Sequence, residues 1–410
     1  NKFTRSKINT KIINEFTSLS SGSENHKILS RLGIDTFWTT NYDQLIERTL
    51  EAEGKTVEKK IRNSDFSRNI KKRDAIVYKM HGDKDSPDEA ILTKDDFESY
   101  NDKMELFTIA LRGELVSKTF LFLGFSFDDP NLEYILGRVK ILLKGNTPTH
   151  YCFFKEIAES DFNDSSLSAE QNKENYLYAK IKQGLKIDNL VRYGIRAIMI
   201  NDYSEITLIL SEIEKRVKRK NIFLSGAAHD YSPFSEEDAK DLIHSLSYKL
   251  AENQYKIVSG YGLGIGSIVI NGALDYKLNS NYRNLDDLLI LRPFPQIQSG
   301  SKSISEIWTD YRNEMISKAG IAVFVFGNKL VNGEIVDSNG MEEEFEICIK
   351  HNVIPIPIGT TGSVSKSLWE KVNTELTKYY PDHAELHNAI KELGKDNLSK
   401  DEIITNTIKA

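Results

Sequence analysis

The feature that most constrains this chain is a three-part unit that recurs along it. A short apolar, β-branched or aromatic run stops abruptly at polar residues or glycine, and apolar residues at helical spacing follow. Its first full instance is Phe37-Trp38-Thr39-Thr40-Asn41-Tyr42-Asp43, continued at once by Gln44-Leu45-Ile46-Glu47-Arg48. Such a unit reads as a buried parallel strand whose carboxyl end turns into a helix. In open α/β sheets that end is the rim where ligands bind, so Asn41 and Asp43 are expected to face a crevice. Ala75-Ile76-Val77-Tyr78-Lys79-Met80 ends the same way in His81-Gly82-Asp83. Thr119-Phe120-Leu121-Phe122-Leu123 ends in Gly124-Phe125-Ser126-Phe127-Asp128-Asp129-Pro130. Three strands thus deliver polar groups to one edge.

The rest of the chain is placed around these runs. Residues 1 to 36 carry a helical, amphipathic pattern (Ile8, Ile12, Ile13, Phe16, then Ile28 and Leu29), and 54–73 reads as a charged surface connection. Thr93-Lys94-Asp95-Asp96 starts a helix reaching Leu115, and Pro130 suits the first turn of the next. A strand at His150–Phe154, a helical stretch to 192, a strand at Ile195–Ile200 and a helix at Glu205–Val217 complete this half. The basic cluster Lys215, Arg216, Lys218, Arg219 and Lys220 marks a boundary and reads as a solvated helix end complementing its dipole. Beyond it, runs at 222–224, 255–258, 288–291, 321–326 and 353–358 alternate with helical patterns. The expectation is an α/β protein of two Rossmann-like, doubly wound parallel-sheet domains, 1–218 and 219–410.

Composition narrows the partners. A length of 410 residues exceeds what one compact core normally holds, and the net charge of −6 gives no electrostatic reason to expect nucleic acid. The two cysteines, Cys152 and Cys348, cannot form a four-thiolate zinc site or a disulfide framework, so no metal is expected. Both sit in apolar stretches and read as reduced thiols of a cytoplasmic protein. No apolar run approaches a membrane span. The first residue is Asn1 rather than Met, so a preceding amino-terminal piece is expected.

Two constellations could carry chemistry. Asn41, Asp43 and His81 suit cleavage of a glycosidic bond to a cationic leaving group. That reaction needs a group to hold the ribose, a carboxylate, and an imidazole that titrates near neutrality. Spacing alone leaves strand-end capping equally open. The second set is Ser225, Gly226, Gly262, Gly264, Gly266, Ser267, Arg292, Arg312, Lys329 and Glu344. Basic side chains and amide-rich loops at strand ends suit a phosphorylated ligand. Tight turns and surface charge are the competing account, and Gly262-Leu263-Gly264-Ile265-Gly266 is a poor dinucleotide fingerprint.

Thr39-Thr40-Asn41-Tyr42-Asp43, His81-Gly82-Asp83 and Gly124–Pro130, in this order, resemble the sirtuin-like (SIR2) domain of bacterial defence proteins. The resemblance implies Asn41 and His81 as the catalytic pair, with Thr40, Asp43, Gly124 and Ser126 holding NAD+ as substrate. The family's first glycine-rich NAD-binding turn is expected before Asn1. The cysteine pairs of protein deacetylases are missing, which favours plain NAD+ hydrolysis over deacylation. Leu224-Ser225-Gly226 and Ser259-Gly260-Tyr261-Gly262-Leu263-Gly264 resemble SLOG domains. The enzymatic branch's Pro-Gly-Gly-x-Gly-Thr loop is replaced by Ser338-Asn339-Gly340-Met341-Glu342-Glu343-Glu344, so a sensor is expected there.

The pairing of the two halves resembles the NAD-degrading effectors of the Thoeris anti-phage system. It implies a cytoplasmic homo-oligomer, a tetramer or a filament on activation, switched on by a cyclic ADP-ribose isomer from a TIR-domain cyclase. The activator would be read by Ser225, Gly226, Gly262, Gly264, Arg292, Arg312, Lys329 and Glu344. NAD+ depletion and abortive infection would follow. The competing readings are a nucleotide-binding regulator without turnover and a sirtuin-type deacylase.

Overall fold

A computed structural model describes residues 5–16, 22–144, 146, 148–281, 284–298, 300–381 and 383–410. The chain divides into two compact units, Asn1–Glu214 and Lys215–Ala410.

In the first unit, β1 (Thr36–Thr39), β2 (Val57–Lys60) and β3 (Ala75–Lys79) form a parallel sheet in the order β1-β3-β2. A second parallel sheet runs β4-β5-β6, from Leu121–Phe122, His150–Lys155 and Ile195–Ile200. Central β3 carries no exposed residue, and its Val77 is shut off from solvent on a face packed with Leu50. The other face stacks Trp38 on Tyr78 at 4.0 Å between ring centres, with Phe107 edge-on to both. Aromatic burial of this kind gains from ring geometry beyond its area.

Three expectations are corrected here. The stretch 54–73 is not simply a surface connection, because it contains β2. Its Glu58 and Lys60 are buried and paired, and Lys60 Nζ also donates to the Asp65 and Arg68 carbonyls, each at 2.6 Å. A strand whose inward residues are an ion pair has no apolar alternation to read. The helix expected over 93–115 is three pieces, Lys94–Glu98, Tyr100–Lys103 and Glu105–Ser117. Helix Arg5–Phe16 is present, but it leaves Ile13 and Phe16 largely exposed, and the side chains of Ile8 and Ile12 lie outside the described residues.

In the second unit, β7 (Asn221–Ala227), β8 (Lys256–Ser259), β9 (Leu289–Leu291), β10 (Ile321–Phe326) and β13 (Ile354–Pro357) form one parallel sheet. Its order, β13-β10-β7-β8-β9, grows outward from β7 in both directions. Ala322 to Phe326 of β10 are all buried, as a strand covered on both faces requires. The chain order reverses between β7 and β10, and ligands of such sheets bind at that switch point. An antiparallel hairpin, β11 (Asn328–Val331) and β12 (Glu334–Asp337), follows β10 directly and was not legible as alternation. Among the described residues, no helix is long and apolar enough to cross a membrane.

Candidate functional site

The first site is set by strand register. Thr39 of β1 pairs with Lys79 of β3, and Met80 N–H donates to the Thr39 carbonyl at 2.9 Å. Asn41 and His81 each stand two residues beyond that pair, on adjacent parallel strands. The loops stay side by side: Lys84 N–H donates to the Tyr42 carbonyl (2.9 Å), and the Tyr42 hydroxyl donates to the Ile91 carbonyl (2.7 Å). Gly82 has φ +95°, and a Cβ there would come within 2.9 Å of Ala90 Cα, so glycine is required where this loop doubles back.

Asn41 is exposed, and its N–H donates to Thr39 Oγ1 at 3.0 Å. Thr40 is half-buried beside it. Asp43 Oδ1 accepts from Leu45 N–H (3.0 Å), so part of its carboxylate caps helix Leu45–Ala52. His81 is 7% exposed, and its ring meets Phe97 and Tyr100 edge-on at 5.3 and 6.1 Å. Its Nε2 lies 3.1 Å from Asp129 Oδ2, within ion-pair range but not aligned as a hydrogen bond. Burial alone would raise the Asp129 carboxyl. The His81 imidazole and the N–H groups of Asn131 and Leu132 outweigh it and hold the carboxyl below its ordinary value. Gly124 (φ +62°) and Ser126 are exposed in the loop leading to Asp129, and Ser126 Oγ accepts from Asp128 N–H at 3.4 Å.

Beneath this rim is a charged cluster that apolar patterning did not reveal. Lys79 is wholly buried, 3.3 Å from both Glu47 Oε1 and Asp83 Oδ2, and its Nζ also donates to the Asp43 carbonyl. Gln44 Nε2 donates to Asp83 Oδ1 (2.8 Å) and Asp85 Oδ2 (2.7 Å). Burial pushes the Glu47 carboxyl up, against the pull of Lys79. The loops carrying Asn41 and His81 are therefore pinned from below by one ammonium group. Asp129 and Lys79 both lay within runs singled out in the sequence. The signal that could have found them is a charge placed where an apolar strand end or a helix cap is expected.

The second site lies beside the β7–β10 switch point. Ser225 Oγ donates to Glu344 Oε2 at 2.6 Å, and Arg312 Nε donates to Glu344 Oε1 at 3.4 Å. Arg312 Nη1 donates to Glu343 Oε2 (2.7 Å), and its guanidinium lies 4.9 Å from the Phe294 ring centre. Burial raises the Glu344 carboxyl, and the Ser225 and Arg312 contacts only partly offset this. Lys329, on β11, donates to Asn339 Oδ1 at the start of helix Asn339–Lys350. Ser225, Arg312 and Glu344 are thus brought together, and Glu343 joins them without having been foreseen.

Arg292 follows β9, two strands from β7, and acts electrostatically on Glu314 rather than in this network. Gly226 pairs with Val325 inside the sheet. A Cβ on Gly262 would stand 1.9 Å from the Gly226 carbonyl oxygen, and one on Gly264 2.0 Å from that of Ala228. Both glycines therefore let their loop lie against the carboxyl end of β7, which gives each a packing reason independent of any ligand. Among the described residues, no group of three or more His, Cys, Asp or Glu could hold a metal ion.

Comparison with known proteins follows this division. The model of the Sir2- and TIR-associating SLOG family matches residues 205–410, and that of the SIR2-like domain matches 35–178. "NAD(+) hydrolase ThsA" of Cytobacillus dafuensis is 44% identical over 411 residues, covering 100% of this chain and 83% of its own. Its namesake from Bacillus cereus (strain MSX-D12) is 44% identical over 411 residues, covering 100% of this chain and 84% of its own. That of Acinetobacter baumannii (strain 532279) is 40% identical over 399 residues, covering 96% and 81%. Similarity of this extent, running through both units, means that the chain belongs to the ThsA family of NAD(+) hydrolases.

Proposed function

We propose that the first unit cleaves NAD+ to nicotinamide and ADP-ribose at the rim formed by Asn41 and His81. The observation that carries this reading is the β1–β3 register, which sets both residues two positions past the Thr39–Lys79 pair on neighbouring strands. The C1′–nitrogen bond breaks with its electron pair passing to nicotinamide, which leaves neutral and needs no acid. Water then bonds to the electron-poor C1′ and gives up a proton. Asn41, exposed at the rim, has the amide chemistry to hold ribose hydroxyls or that water. His81 takes the proton. The Asp43 carboxylate favours the positive charge that develops on the ribose as the bond breaks. Thr40, Gly124 and Ser126 line the loops on which the dinucleotide rests.

The second unit, in this reading, senses a cyclic ADP-ribose isomer supplied by a TIR-domain cyclase. Ser225, Arg312, Lys329 and Glu344 are its contacts, with Gly226 at the end of β7 and the loop of Gly262 and Gly264 beside them and Arg292 at the margin. Binding switches on the first unit within a homo-oligomer, a tetramer or a filament, and the resulting NAD+ loss aborts phage infection. Inverting a resting ratio of about 99 to 1 requires the ligand to favour the active state roughly 10⁴-fold, about 5.5 kcal/mol. Charge-assisted contacts to Arg312 and Lys329 supply differential binding on that scale.

The test is chromatographic. NAD+ is incubated with the parent, Asn41→Ala and His81→Ala proteins, and nicotinamide and ADP-ribose are quantified, with and without an acetylated peptide. The reading expects both products from the parent, no dependence on the peptide, and large losses in both variants. Binding without turnover would instead establish a regulator, and peptide-dependent turnover a deacylase.

A further inference from the structure

We propose that Asp129 is a positioning residue that fixes the orientation and the proton-bearing nitrogen of His81. This rests on the reading of His81 as part of the NAD+-cleaving rim. Asp129 is the N-cap of helix Pro130–Leu143, with Pro130 at the first helical position. Its Oδ1 accepts from Asn131 N–H at 2.9 Å and from Leu132 N–H at 3.3 Å. Two backbone donors on one oxygen lock the carboxylate plane, and the second oxygen is left 3.1 Å from His81 Nε2.

Capping alone does not call for a carboxylate, because serine and asparagine cap helix starts as well as aspartate does. An aspartate is called for when the other oxygen faces a group that becomes positive. A carboxylate oxygen 3.1 Å from an imidazole nitrogen favours the proton on that nitrogen, here Nε2, by charge alone even where the pair is not aligned as a hydrogen bond, and this leaves Nδ1 as the acceptor. The Phe97 and Tyr100 rings, edge-on to the imidazole, restrict its remaining freedom. Asp129 therefore acts on the reaction only through His81.

Asp129→Asn separates the two roles, since asparagine keeps the cap and loses the charge. Steady-state NAD+ cleavage by the full chain should fall about 10- to 100-fold in kcat, within the range general for proton-transfer groups, with KM and melting temperature little changed. Adding Asp129→Asn to His81→Ala should cost nothing further. A second, additive loss would overturn the proposal, as would unchanged kcat in Asp129→Asn.

Nitrogen-15 NMR of the imidazoles, with His81 assigned through its loss in His81→Ala, gives a readout independent of turnover. The neutral ring should carry its proton on Nε2 in the parent and shift toward Nδ1 in Asp129→Asn. The same tautomer in both proteins would also overturn the proposal. Full turnover by His81→Ala would instead remove His81 from the rim, which is a failure of the functional reading and distinguishable from this one.

Discussion

The two units hold their charged groups in opposite ways. At the first rim, Asn41 is exposed and His81 faces one carboxylate oxygen, while the charges that balance one another lie beneath, around Lys79. In the second unit the candidate ligand groups are engaged with each other: Ser225 and Arg312 on Glu344, and Arg312 again on Glu343. Groups left available suit a rim that acts on what arrives. Groups that neutralise one another suit a pocket that an anionic ligand must rearrange, because a phosphate drawn to the guanidinium competes with Glu343 for its charge. The difference between the sites is therefore one of pre-engagement rather than residue type.

The comparison can be broken at several points, beginning with the largest effect. His81→Ala and Asn41→Ala should each lower NAD+ turnover by about 10²–10⁴-fold while leaving cyclic ADP-ribose binding intact. Calorimetric titration of each variant checks the second half of that statement. Lys79→Met removes a cation shared by Glu47, Asp83 and the Asp43 carbonyl. Stranding buried carboxylates in this way should cost about 3–5 kcal/mol in denaturant unfolding of the first unit.

Glu343→Gln should act in the opposite sense on the second unit. It frees the guanidinium from one competing charge and should tighten cyclic ADP-ribose binding by roughly 3- to 10-fold, on the scale of a charge-assisted contact. Weaker binding would mean that Glu343 assists the ligand rather than competing with it. The smallest effect concerns pH. Burial raises Glu344 in the folded protein, so the folded state holds that proton to a higher pH than the unfolded chain does. The wild type should then lose stability as pH rises from the ordinary glutamate value through the raised one. Glu344→Gln should flatten that slope, as followed by thermal unfolding between about pH 4.5 and 8.

Much of this was readable before any coordinates, for a physical reason. Parallel strands covered on both faces write themselves as unbroken apolar runs, so β3, β7 and β10 are plain, and so are the polar ends that follow them. That Asn41 and His81 share an edge was expected from two such ends, whereas the β1–β3 pairing that aligns them came only with the fold. What escaped is polar burial. Glu58 and Lys60 fill inward positions of β2 with an ion pair, and Lys79 closes β3 with a charge. No periodicity marks either. The hairpin Asn328–Asp337 escaped for a different reason: its Leu330, Val331, Ile335 and Val336 are all exposed, so no alternation separates one face from the other. Asp129 stood in a run singled out in the sequence, but neither its capping oxygen nor the one facing His81 had a role until the fold set them in place.

The central claim is that ligand occupancy of one unit governs dinucleotide cleavage in the other. Nicotinamide release from NAD+ by the intact protein, timed with and without cyclic ADP-ribose isomers, tests it directly. The account predicts slow release alone, a sharp rise with one isomer, and loss of that rise in Arg312→Ala. Equal rates with and without every isomer, or NAD+ left whole in the presence of all of them, would contradict it.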